Sequence, residues 1–121
     1  MIPVLLLAAA LLVFVAAAHS FLGERYILVR LFRRADLPKL LGSDAFTKQT
    51  LRFAWHLTSV AWLGFAGLLA AQAVGGSTWR VQQRLIAGTF ALSAAAAGAG
   101  SRGRHLSWIV FLAVAALVWV A

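Results

Sequence analysis

The sequence predicts an all-α integral membrane protein, a four-transmembrane-helix bundle with both termini outside and a basic cytoplasmic edge. Three observations predict it. Hydrophobic residues make up 63% of the 121-residue chain and charged residues only 12%, whereas a soluble domain carries about a quarter charged residues. The charges leave four uncharged stretches, 1–23, 53–79, 85–101 and 105–121. Nine of the eleven Lys and Arg residues fall in the segments that a four-span chain places on one side. Disorder is excluded by the mean hydropathy of +0.90. The absence of cysteine excludes disulfides, thiolate metal sites and cysteine nucleophiles.

The chain reads as one membrane domain, 1–121, with spans at about 2–23, 46–73, 80–100 and 105–121 and a cytoplasmic connection at 33–45. Crossing the hydrocarbon core takes ~17–25 apolar residues at ~1.5 Å rise each. The first two stretches meet this comfortably, and the last two, 17 residues each, meet its lower limit. Val15–His19 resembles the small-residue end of a signal peptide, but no basic residue precedes Glu24, so an uncleaved span is expected. Glu24–Arg34 carries enough apolar surface either to prolong span one or to lie along the interface.

Leu37-Pro38 stops any helix running past Arg34. Gly42-Ser43-Asp44 then forms a turn, with Ser43 or Asp44 capping the next helix. Gly75-Gly76-Ser77-Thr78 and Gly100-Ser101-Arg102-Gly103-Arg104 are short connections that make spans two to four antiparallel neighbours. Only Arg80 and Arg84 lie on the side opposite the basic edge, so the positive-inside rule turns both termini outward. Trp79 and Trp119 then belong to the outer interface, and Tyr26, Trp55 and Trp108 to the inner one. The localisation this implies is a bacterial-type inner, or plasma, membrane.

Span three reads Ser-Ala-Ala-Ala-Ala-Gly-Ala-Gly-Ser from Ser93 to Ser101, without a bulky side chain. Small residues let helices approach closely or leave a slot, which Phe21, Phe53, Trp55 or Trp108 is available to fill. Gly64 and Gly67 make a second close-packing face on span two. Thr58, Ser59, Thr89 and Ser93 are expected to hydrogen-bond across helices or to their own carbonyls.

His19, His56 and His105 come from three different helices to similar depth near the inner boundary, and Glu24 reaches the same region. This is the candidate metal site, His19, His56, His105 and Glu24, with His19 and His56 as the cofactor pair. A metal ion or haem is the cofactor that imidazoles from separate helices would take. No single helix carries a His-x-x-x-His or Glu-x-x-His pair, and in a regular helix His19 and Glu24 point about 140° apart. The plain alternative is three interfacial residues bonded to backbone, headgroups or water.

Asp44, Lys48, Arg52 and His56 recur every fourth residue and form one stripe, for which Glu24 is the nearest acidic partner. Lys48 and Arg52 with Arg30, Arg33 and Arg34 make the candidate site for an anion or lipid headgroup. The net charge of +8 reads as attraction to anionic inner-leaflet lipids, not nucleic acid. No phosphate-binding loop, dinucleotide fingerprint or nucleophile elbow is present. Ser20 and Glu24 do not by themselves make a catalytic pair.

The function expected is that of a small inner-membrane protein without evident enzymatic chemistry. It would act as a self-associating component, a homo-oligomer, or an accessory subunit of a larger membrane complex. The alternatives are a metal- or haem-binding protein and a small oligomeric ion channel or transporter.

Overall fold

The structure is a computed structural model that describes residues 2–75 and 77–121; Met1 and Gly76, the latter within the expected 75–78 connection, lie outside the described residues. Among the described residues it is all helical, with 80% in helix and no strands. Four helices follow in order: α1 (Ile2–Leu31), α2 (Ala45–Ala73), α3 (Trp79–Gly100) and α4 (Ser107–Val120).

Two of the four are long and apolar enough to cross a membrane: α1 with 30 residues and α2 with 29. Helix α3 opens with Arg80, Gln82, Gln83 and Arg84 in its first two turns, which lowers its hydropathy. Helix α4 has 14 residues and so is ~21 Å long at ~1.5 Å per residue, short of a ~30 Å hydrocarbon layer. Length and composition therefore mark two spans where the charge-free stretches counted four.

Helix α1 runs eight residues past the expected end at 23. It does so through a π-helical segment, Gly23–Leu28. Leu28 at the end of this segment is buried, Glu24 faces α2, and Arg25 and Arg30 are exposed; the helix ends at Leu31, before Pro38. Helix α4 starts at Ser107, two residues later than expected, because the chain first completes the cap of α3. There Gly103 N–H donates to the Gly98 carbonyl (2.7 Å) and Arg102 N–H to Ala99 (3.2 Å). This is a Schellman closure, with Arg102 in the left-handed position (φ 52°).

The other caps follow the sequence reading in part. Thr78 Oγ1 accepts from Val81 N–H (3.4 Å), capping α3. Asp44 stands at the N-cap of α2, but its carboxylate goes to Lys48 (2.7 Å) instead of to a backbone N–H. Ser43 Oγ accepts from Ala45 N–H (3.3 Å).

The helix backbones touch only in chain order: α1 on α2, α2 on α3, α3 on α4. The result is an open row, not a bundle closed by a contact between α1 and α4. Small residues make the contacts. Among the described residues, eight of the ten buried apolar side chains are alanine, and the large ones are Leu28 and Phe53. On α3 a Cβ at Gly100 would press on Phe53, and Gly98 lies 3.6 Å from Trp108. Phe53 and Trp108 thus fill the small-residue half of α3, while Trp55 seats elsewhere and Phe21 is exposed. At the other end Arg84 of α3 lies over the Trp119 indole of α4, 3.6 Å from its centroid.

On α2, a Cβ at Gly64 would overlap the Thr89 side chain of α3. Gly64→Val should therefore lower stability by ~1–3 kcal/mol, the usual cost of overpacking. Adding Thr89→Ala should restore much of it, read as the recovery of the thermal-aggregation midpoint in detergent.

Candidate functional site

The polar side chains of α1 and α2 meet along one seam. Against a largely apolar helix surface an unpaired polar group is costly, which favours partners across the contact. Ser59 Oγ donates to the Ala16 carbonyl (3.0 Å) and Ser20 Oγ to Ser59 Oγ (2.7 Å). His56 Nδ1 lies 2.9 Å from Ser20 Oγ, and His56 Nε2 lies 3.3 Å from Glu24 Oε2. Arg52 completes the row against Glu24, with Nη2 at 2.9 Å from Oε1 and Nε at 3.2 Å from Oε2. The Glu24–Arg52 pairing anticipated from the sequence is present.

Hydrogen counting constrains this row. Two hydroxyls carry one proton each, and a carboxylate and a carbonyl can only accept. Ser59 to Ala16, Ser20 to Ser59, His56 to Ser20 and His56 to Glu24 are four links. All four hold a proton at once only when His56 carries one on each nitrogen. With a neutral imidazole one link lapses.

Ser20, His56 and Glu24 are the residue types of a hydrolytic triad, and His56 lies within hydrogen-bond reach of both others. The surroundings do not serve that chemistry. Ser20 points into the seam against Ser59, between helices whose backbone N–H groups are spent on their own turns. No pair of donors is left there to hold an oxyanion.

His19 takes a separate position. Its ring stacks on Trp55 (centroids 4.5 Å apart, planes at 3°) and meets the edge of Trp62 at 5.0 Å. The two residues exchange hydrogen bonds: His19 Nε2 to the Trp55 carbonyl (3.2 Å) and Trp55 Nε1 to the His19 carbonyl (3.0 Å). Trp55 lies directly over Gly23, where any Cβ would overlap the indole. His105 sits in the α3–α4 turn, with Nδ1 2.8 Å from Ser107 Oγ and its ring against Phe53 (5.1 Å) and Phe46 (6.0 Å).

The four proposed metal donors are therefore held by different partners. His19 bonds to Trp55, His56 to Ser20 and Glu24, and His105 to Ser107. Among the described residues no three His, Asp or Glu side chains form a group that would hold a metal ion.

The five proposed anion-binding residues also divide. Lys48 is paired with Asp44, Arg52 with Glu24 and Arg34 with Asp36. Arg30 and Arg33 have no carboxylate partner among the described residues. Arg30 and Arg25 instead both lie over the Tyr26 ring, 5.9 and 5.8 Å from its centroid.

Sequence reasoning anticipated that Ser59 would bond across helices but missed Ser20, Trp55 and Arg25. A signal was present: Ser20 and Glu24 on α1, and Arg52, His56 and Ser59 on α2, recur at helical spacing on otherwise apolar helices.

Two measurements check this geometry. Gly23→Ala should displace Trp55, shifting its fluorescence and lowering the thermal midpoint by several degrees, because the indole has no free space to move into without losing its bond to His19. In the connection, the hydrogen bond from Arg34 and one from its own backbone hold the Asp36 carboxyl down to about 2. A lowered carboxylate contributes stability that is complete above the ordinary ~3.9 and is lost as pH falls from there through about 2. By carbon NMR, Asp36 should titrate near 2, and Arg34→Gln should return it toward ~4.

No protein-family model matches the chain, and no curated protein or solved structure is similar to it.

Proposed function

We propose that the protein is a small multi-pass component of a bacterial-type inner membrane, acting by helix association and without enzymatic chemistry of its own. It works either as a homo-oligomer or as an accessory subunit of a larger membrane complex. In this reading four helices span the bilayer, both termini face outward, and the 33–45 connection and the 100–105 turn form the basic cytoplasmic edge.

One observation carries the association: the outward face of α3. The inward face of that helix packs through Ala87, Ala94 and Ala97. Its other face carries Gly88, Ala91, Ala95 and Ala99, all exposed, and nothing lies within 4 Å of a Cβ at Gly88. A groove of about 270 Å³ between α2 and α3 runs along this face past Gly64 and Gly88. Small residues bring helices into close contact in lipid, where packing, not exclusion from water, drives association. The size distribution supports the membrane setting, since alanine fills the interior while Leu7, Phe14, Val110 and Leu117 face outward. An ion pathway, the further alternative, would have to lie between copies, because a single open row encloses none.

The test separates the two faces of α3. Ala95→Leu should abolish intermolecular cross-linking in membranes and leave the thermal midpoint of the detergent-solubilised monomer within a degree or two. Gly98→Leu should instead destabilise the monomer, because Trp108 is already in contact. Unchanged cross-linking in Ala95→Leu would remove the association face. Reporter fusions at Gly42 and Gly103 should read cytoplasm and one at Ala121 the outside; the reverse would overturn the orientation.

A further inference from the structure

The chain has three acidic side chains, and each is neutralised internally: Glu24 by Arg52, Asp36 by Arg34, Asp44 by Lys48. Any anion facing the remaining basic residues must come from outside. Two of those residues converge. Arg25 and Arg30 are five apart, and in a regular α-helix they would point to different sides. Both lie in or directly after the π-helical segment, whose hydrogen bonds span five residues instead of four. The wider turn brings both guanidinium groups onto the one ring of Tyr26, at 5.8 and 5.9 Å. Two like charges focused on one exposed ring, with no carboxylate left to separate them, are matched by an anionic group.

Tyr26 also closes one end of a groove of about 330 Å³ that runs along α1. Val15, Ala18, Leu22 and Ile27 form its apolar walls, and the Trp55 indole, stacked on His19, forms its floor. The charged end and the apolar length together have the chemistry of one amphiphile: an anionic head at Arg25 and Arg30 and a hydrocarbon chain beside Leu22, Ala18 and Val15.

We infer that this groove holds a single anionic phospholipid, its phosphate between Arg25 and Arg30 and one acyl chain along α1. The inference rests on the membrane setting proposed above and deepens it by naming a seated lipid. It also moves the lipid contact away from Lys48, Arg52 and Arg34, which keep their own carboxylates, and leaves out Arg33, which neither lines the groove nor lies over Tyr26.

The experiment is native mass spectrometry of the full chain released from mild detergent, titrated with phosphatidylglycerol or phosphatidylcholine. One phosphatidylglycerol should be retained selectively. The double variant Arg25→Gln/Arg30→Gln should bind it about thirtyfold more weakly, the effect expected for two basic contacts to an anionic lipid. The double variant Arg33→Gln/Lys39→Gln, which removes the same charge nearby, should bind it like the parent. Ala18→Phe should lose retention at unchanged charge by filling the groove. Circular dichroism confirms that each variant keeps its helices, and the exposed arginine pair keeps the site testable if Ala18→Phe does not fold.

Equal retention of phosphatidylcholine, an equal loss in the Arg33/Lys39 variant, or displacement by inorganic phosphate would overturn the lipid site, the last by showing a site for free anion. Carbonate extraction reads the membrane setting separately. Protein that stays in the bilayer but binds without selectivity defeats the lipid site alone, and protein released by carbonate defeats both readings.

Discussion

The contact between α1 and α2 depends on placing polar groups where the other helix can satisfy them. Apolar side chains on two such helices interchange at little cost, so they set no particular register. Ser59, Ser20, His56 and Glu24 do. Each meets its partner at only one axial offset, and a slip of one turn would leave several of them unpaired at once. The reciprocal bonds between His19 and Trp55 lock the same offset from a second pair of positions. Gly23 is the space these bonds require, since the indole that reaches the His19 carbonyl occupies the place of its missing side chain.

Beyond that seam the packing is governed by size. Alanine, glycine and serine line the contacts, and the bulky side chains turn outward. Close approach gains many weak dispersion contacts along the helices, and it leaves little tolerance for added volume at Gly23, Gly64 or Gly100. The row stays open because each helix uses its small residues on its sequence neighbour, and α3 has small residues to spare on its other side. The proposed association follows from that surplus.

Charge is distributed by a different rule. The three acidic side chains pair with four basic or potentially basic ones, so the rest of the basic edge has no carboxylate partner among the described residues. The π-helical segment then decides where two of those charges go. It gathers Arg25 and Arg30 at Tyr26.

The sequence by itself determined what depends on local chemistry. Uncharged stretches and glycine turns located four helices to within a few residues, except where α1 runs on to Leu31. The Gly64 face and the Glu24–Arg52 pair followed from residue type and spacing. Only the tertiary structure decided which neighbours the histidines take. The expected convergence of His19, His56 and His105 rested on depth alone, and depth along an axis says nothing about direction around it. His19 turned to Trp55 and His56 to Ser20 because the two helices cross at one register. That register is not encoded in spacing alone, since it is settled by which polar groups find partners when the helices meet.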